Sequence, residues 1–189
     1  MSDQIIKYKN YYPVLHKNNY ISKSAWVIGN VDIKENVKIL NSVVIRGDGE
    51  KIEIEEGCTL NKNSTVHVAL NGTKIKKNCM IGTNSVIHAC VIKSNVLVGN
   101  NCVIMDNSEI GSYSIIRDNC LVAPRKKIPP FSIVAGTPGK IVKTINKQEF
   151  LKYKNHLEKS SINNLVAKDI NFSNFNHKNI KAKNFYIAP

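Results

Sequence analysis

Two histidines carry the most chemistry in this 189-residue chain. His67 and His88 each directly follow an apolar residue, Val66 and Ile87, and they stand 21 residues apart. Two imidazoles on one face are half of a zinc site, because catalytic zinc takes three protein ligands and leaves its fourth position to water. Either ring would also serve as the general base of an acyl transfer. The plain alternative is a pair of partly exposed polar groups on a sheet face. Whether the two rings share a face depends on the elements that carry them.

Those elements announce themselves by a six-residue rhythm. Ile21, Val27, Ile33, Ile39 and Ile45 are followed, after interruptions, by Ile92, Val98, Ile104, Ile110, Ile116, Val122, Ile128 and Val134. Neither a 3.6-residue helix nor a two-residue strand alternation has that period, so it marks a repeat architecture. Four residues after each apolar position stands a smaller one, such as Val31, Val37, Val43, Cys58, Ser64, Cys79, Ser85, Cys102 and Cys120. Two inward positions per six residues predict an all-β fold, a three-sided parallel β-helix. Asn and Gly near the corners, as in Gly29-Asn30, Lys77-Asn78 and Asn100-Asn101, supply the left-handed backbone angles that tight turns need. On stacked coils, a separation of 21 residues places His67 and His88 near the same side of successive turns.

The rest of the chain divides around this repeat. Residues 1–20 read as an irregular lead-in, 21–139 as the coils, 140–159 as a C-terminal α-helical segment and 160–189 as an extension. Interruptions fall near Gly47 to Lys51 and Ala69 to Lys74. Pro129-Pro130 are expected to end the stacking, since proline brings no ladder donor. Asn146 with Glu149 three residues on predicts a capped helix start leading into Phe150, Tyr153 and Leu157, with the helix lying along the flank of the coils. The extension loses the six-residue period but keeps Leu165, Phe172, Phe175, Phe185 and Tyr186, and it is expected to fold against a partner or a neighbouring subunit.

Composition narrows the class. No stretch approaches the roughly 20 apolar residues of a membrane-spanning helix, so none is expected. The start, MSDQIIKYKN, does not read as a secretory or transit peptide. Lys and Arg number 27 against 14 Asp and Glu, a net charge of +13. These lysines are spread along the chain with no nucleic-acid motif or aromatic platform, so a nucleic-acid partner is not expected. Four of the five cysteines occupy the small inward slots and read as compact hydrophobes. Cys90 breaks that pattern and lacks a CxxC partner, which argues against a disulfide or cysteine–zinc site and for a reducing compartment.

Several segments, in order and at the right spacing, resemble the gamma-class carbonic anhydrases. They are Val44-Ile45-Arg46-Gly47-Asp48, Ser64-Thr65-Val66-His67-Val68, Ile81-Gly82-Thr83-Asn84-Ser85-Val86-Ile87-His88-Ala89-Cys90, and the stretch from Ile128-Pro129-Pro130 to Gly139-Lys140. The resemblance covers roughly residues 20–158. It implies a left-handed β-helix that forms trimers, with zinc between subunits held by two histidines of one chain and a third from its neighbour. His67 and His88 match the first two ligands, and the third position holds Thr83. Where the family has Gln and Asp before the first histidine, this chain has Asn61 and Lys62. Arg46 and Asp48 are retained, and the resemblance gives them a structural role at the subunit interface.

The resemblance, with these departures, implies a trimer subunit with an incomplete metal site and an assembly role. In a homotrimer each site would lack its third imidazole, whereas in a heterotrimer a paralogous neighbour would supply it and zinc would bind there. Such mixed trimers resemble the gamma-carbonic-anhydrase-like module on the matrix side of the mitochondrial respiratory NADH dehydrogenase, complex I. Residues 160–189 would dock to that membrane-associated assembly. The alternatives are an active zinc-dependent CO2 hydratase, a hexapeptide-repeat acyltransferase, and a cytoplasmic location.

Overall fold

Parallel rungs build the protein, and each rung is too short to bury its apolar residues alone. The computed structural model describes residues 4–160 and 186–188. Most of the expected extension, residues 161–185 and 189, therefore lies outside the described residues. Among the described residues the chain winds into a parallel β-solenoid of about seven turns followed by one helix. Its first face stacks the start of Trp26–Ile33, the start of Val44–Ile54, Thr65–His67, Val86–His88, Val103–Ile104 and Leu121–Val122. The second face stacks Val14–Leu15, the ends of those two long strands, Thr73–Ile75, Val91–Ile92, Glu109–Ile110 and Lys127–Ile128. The third runs from Tyr20–Ser22 through Lys38–Ile39, Thr59–Leu60, Met80–Ile81, Leu97–Val98 and Ile115–Ile116 to Ser132–Ala135 and the antiparallel Lys140–Thr144.

The six-residue rhythm is the interior of this coil. Ile45, Val66, Ile87, Ile104 and Val122 lie in register on successive turns and are all buried. The small slots are filled by buried Cys58, Cys79, Cys102 and Cys120, and by Ser64, Ser85 and Ser114. Cys90 is buried as well, and all five thiols are free. Asparagines turn the corners: Asn36, Asn63, Asn78, Asn84, Asn95, Asn101, Asn107 and Asn119 hold φ between 54° and 59°. Asn tolerates this left-handed region because its short amide bonds locally. Here Asn84 Nδ2 donates to Asn101 Oδ1 and Asn101 Nδ2 to Asn119 Oδ1, each at 3.2 Å, so the corners form a ladder.

The structure departs from expectation at both ends of the coil. Within the lead-in, Ile5–Ile6 and Val14–Leu15 are strands that pair with Trp26–Ile33, so that segment is not wholly irregular. Pro129 and Pro130 sit in a corner, and stacking continues past them through Ser132–Ala135. The helix spans Lys147–Ser160, preceded by the strand Lys140–Thr144. Its start is a reciprocal capping box, in which the Asn146 N–H donates to Glu149 Oε2 and the Glu149 N–H to Asn146 Oδ1, both at 3.0 Å. Phe150 is buried against Leu97, Ile115, Ile133 and Ile145, and meets the Tyr113 ring edge-on at 5.4 Å. Tyr153 and Leu157, expected on the same buried face, are exposed. No helix among the described residues is long and apolar enough to cross a membrane.

Candidate functional site

Rung geometry brings the two histidines together. Each sits one residue beyond an interior isoleucine or valine, so its side chain points outward on the first face. His67 pairs in register with Arg46 below and His88 above. The two rings lie with centroids 5.2 Å apart, tilted by 47°, a separation close to the rung spacing of about 4.8 Å.

Carboxylates grip this column at both ends. Arg46 Nη2 bonds Asp48 Oδ2 at 2.6 Å, and Asp48 Oδ1 faces His67 Nε2 at 3.0 Å. One turn above, Asp106 Oδ2 lies 3.0 Å from His88 Nδ1. Burial by itself would push both carboxyls up. For Asp48 the His67 hydrogen bond and the Arg46 charge outweigh it, and for Asp106 the His88 hydrogen bond does, so both stay below the usual carboxylate range. Each histidine thus has one ring nitrogen committed to a carboxylate, and by opposite nitrogens, which leaves His67 Nδ1 and His88 Nε2 for other partners.

Arg46, Asp48, His67 and His88 form one constellation, and Thr83 is not part of it. Thr83 occupies the corner before Val86–His88, where its backbone N–H donates to Asn100 Oδ1 at 2.9 Å. Asn61 Nδ2 donates to the Ile81 carbonyl at 2.8 Å, and Lys62 is exposed at the corner before Thr65. Asp106 is the member of the site that sequence reasoning misses. It stands 18 residues after His88, one turn up, and that spacing is the available signal. A groove of about 270 Å³ lies elsewhere, on the third face beside the helix, lined in part by Lys38, Thr59, Met80 and Lys154.

Comparison with known proteins gives this site a lineage. Residues 89–124 match the family model described as bacterial transferase hexapeptide (six repeats). The Arabidopsis thaliana protein named "Gamma carbonic anhydrase 2, mitochondrial" is 28% identical over 146 residues, 74% of this chain and 52% of that protein. The chain thus spans about half the length of that relative. A Methanocaldococcus jannaschii protein named "Probable carbonic anhydrase" is 37% identical over 142 residues, covering 75% of this chain and 89% of the other. The chain belongs to the gamma-carbonic-anhydrase-like family. Among solved structures, a hexapeptide transferase family protein from Anaplasma phagocytophilum is similar to this gamma-carbonic-anhydrase-like chain with a TM-score of 0.78 and 29% identity, over 84% of this chain and 95% of that one.

Zinc is the group the family implies, and the donor set of one gamma-carbonic-anhydrase-like chain does not fit it. Catalytic zinc takes three protein ligands. This site offers two imidazoles, with a threonine hydroxyl where the sequence resemblance would put a third ligand, and a hydroxyl is a far poorer zinc ligand than imidazole. Among the described residues no group of three or more His, Cys, Asp or Glu is arranged to hold a metal ion. A third nitrogen would have to come from another chain.

Proposed function

We propose that this chain is a structural or assembly subunit of a gamma-carbonic-anhydrase-like trimer whose metal site is incomplete in its own copies. The observation that carries the reading is Thr83, standing where the resemblance puts a third histidine while His67 and His88 remain stacked one rung apart. Zinc binds only where a paralogous neighbour supplies that imidazole.

The three faces support the choice of seam. The second face carries a ladder of ion pairs, Glu53–Lys74, Glu55–Lys76 and Glu109–Lys93 at 2.7 to 3.1 Å, which suits water. Part of the third is covered by the helix through Phe150. The first presents exposed Trp26 and half-buried Val44, Val86, Val103 and Leu121 beside Arg46, His67 and His88. Apolar outward residues on a sheet face favour a subunit contact.

The wider assembly is the gamma-carbonic-anhydrase-like module of the mitochondrial respiratory NADH dehydrogenase, on the matrix side of the inner membrane. The Arabidopsis relative named as mitochondrial favours this over a cytoplasmic setting. Residues 160–189 are the docking segment. In a mixed trimer in which a neighbour restores the missing imidazole, His67 and His88 would be two of the ligands, and the zinc would supply CO2 hydration. Acyl transfer is the second reading, favoured by the Asp106 grip on His88 Nδ1, an arrangement that would orient a general base.

Zinc analysis of the purified homo-oligomer tests the reading. The wild type is expected to hold little zinc, and Thr83→His to raise it toward about one ion per chain. A wild-type homotrimer holding three tightly bound zinc ions refutes the proposal. A thermal shift with acyl-CoA and none with zinc would favour acyl transfer instead.

A further inference from the structure

The lead-in lays the first rung of the solenoid. Ile5–Ile6 pairs with Val27 and Ile28, Val14–Leu15 with Asp32 and Ile33, and Ile5 and Leu15 pack against the core. Between these two strands the chain makes a tight loop, in which the Tyr8 N–H donates to the Tyr11 carbonyl at 2.9 Å and the Tyr11 N–H to the Tyr8 carbonyl at 3.0 Å. Gly29 lies against it, where a Cβ would stand 3.2 Å from Tyr8 Cβ. The loop is thus seated closely on the next rung, and the side chains it shows to water are held in place.

Those side chains are aromatic and basic. Tyr11, Tyr12 and Val14 are exposed by 50%, 45% and 52%. Lys7 and Lys9 stand exposed on the same loop, and exposed Lys17 and Lys23 mark the other two corners of this end. None of the four ammonium groups forms an ion pair among the described residues, and Lys9 Nζ lies 5.4 Å from the Tyr8 ring centroid. The described residues before Asp32 include no Asp or Glu. Asp32 itself is buried and held by Lys34 and Lys51 at 3.0 and 2.9 Å, and Glu35 faces His16. Exposed Glu50 belongs to a rung two steps further on, about 10 Å along the stack. The far end is also basic, with Arg125, Lys126 and Lys127 exposed, but Pro129 and Pro130 rather than aromatic rings accompany those charges.

We propose that the N-terminal end of the solenoid docks on an anionic lipid surface, with Tyr11 and Tyr12 among the headgroups and Lys7, Lys9, Lys17 and Lys23 on their phosphates. A tyrosine ring suits that boundary because its body is apolar and its hydroxyl is wet. Lysine suits it because the stem packs along apolar surface while the ammonium reaches the charge. The four unpaired cations are complementary to anionic headgroups, whose negative potential attracts basic segments. The contact lies on the membrane without crossing it, and it is independent of the metal site.

The test is co-sedimentation of the full chain with vesicles of phosphatidylcholine alone or with about 30% phosphatidylserine, in about 0.1 M salt. The protein should bind the mixed vesicles, leave the neutral ones, and come off as salt is raised toward about 0.5 M. Each lysine near such a surface contributes about five-fold, so Lys7→Gln/Lys9→Gln should lower the partition coefficient about 25-fold. Arg125→Gln/Lys126→Gln removes the same charge from the far end and should leave it within about two-fold of wild type. Tyr11→Ser/Tyr12→Ser should weaken binding several-fold without changing its salt dependence. Equal losses from the two charge variants would reduce the contact to net charge and overturn the proposal, as would equal binding to neutral vesicles or binding to neither. A tyrosine variant that binds like wild type overturns the seating of the loop among headgroups. Capture of a short single-stranded RNA through Lys7 and Lys9, with no vesicle binding, would assign the end to nucleic acid and overturn it as well.

Discussion

Replacing Asn101 separates two contributions that the asparagine ladder combines. Its backbone holds φ at 54°, and its side chain accepts from Asn84 and donates to Asn119, each at 3.2 Å. At an exposed corner the two hydrogen bonds contribute about 0.5 kcal/mol each. Alanine loses both and keeps the Cβ without the short amide that lets asparagine tolerate the left-handed region, which adds about 1 kcal/mol, for a total near 2 kcal/mol. Glycine loses the same bonds without the steric cost, for a total of about 1 kcal/mol. The predicted gap between Asn101→Ala and Asn101→Gly is thus about 1 kcal/mol, roughly a five-fold difference in the folding equilibrium. Urea unfolding followed by far-ultraviolet circular dichroism, at matched protein concentration, measures it. An alanine variant as stable as the glycine variant would refute the argument that backbone angle selects asparagine here.

Two more outcomes concern titratable groups. Asp32, Asp48 and Asp106 all sit below the usual carboxylate range: burial would raise each, but Lys51 and Lys34 outweigh it at Asp32, and the His67 and His88 hydrogen bonds outweigh it at the other two. Folded values below the unfolded value of about 3.9 mean that these carboxylates stabilise the fold above that pH and lose the contribution as pH falls through the folded values. Melting temperature should drop as pH falls below about 4, and a flat profile there would contradict the assignment. Burial pushes Cys90 up to about 12 and Cys120 up to about 11. Both should resist iodoacetamide in the native protein near pH 8 and react once it is unfolded, with mass spectrometry as the readout; fast native labelling of Cys90 would count against its burial.

The coil is legible in the sequence because its interior repeats. Ile45, Val66 and Ile87 announce their rungs by type and spacing, and the corner asparagines announce the turns. Asn146 and Glu149 give away the helix start for an equally local reason. Strands outside the rhythm are invisible: Ile5–Ile6 and Val14–Leu15 each pair with only one neighbour and need no repeat. Helical spacing suggests a face of Phe150, Tyr153 and Leu157, yet of these three only Phe150 is buried. In the site, the histidine pair follows from equal offsets after Val66 and Ile87. Asp106 does not, because the turn from Ile87 to Ile104 takes 17 residues where the turn from Val66 to Ile87 takes 21, and Asp106 falls one place past the position in register with His88.

The separation of the two imidazoles is a property of the backbone, held by inter-strand hydrogen bonds between Thr65–His67 and Val86–His88. A side chain on either rung can therefore be exchanged while the ladder keeps its neighbour aligned, and the stacking of two such rings measures the persistence of the hydrogen-bonded backbone beneath them.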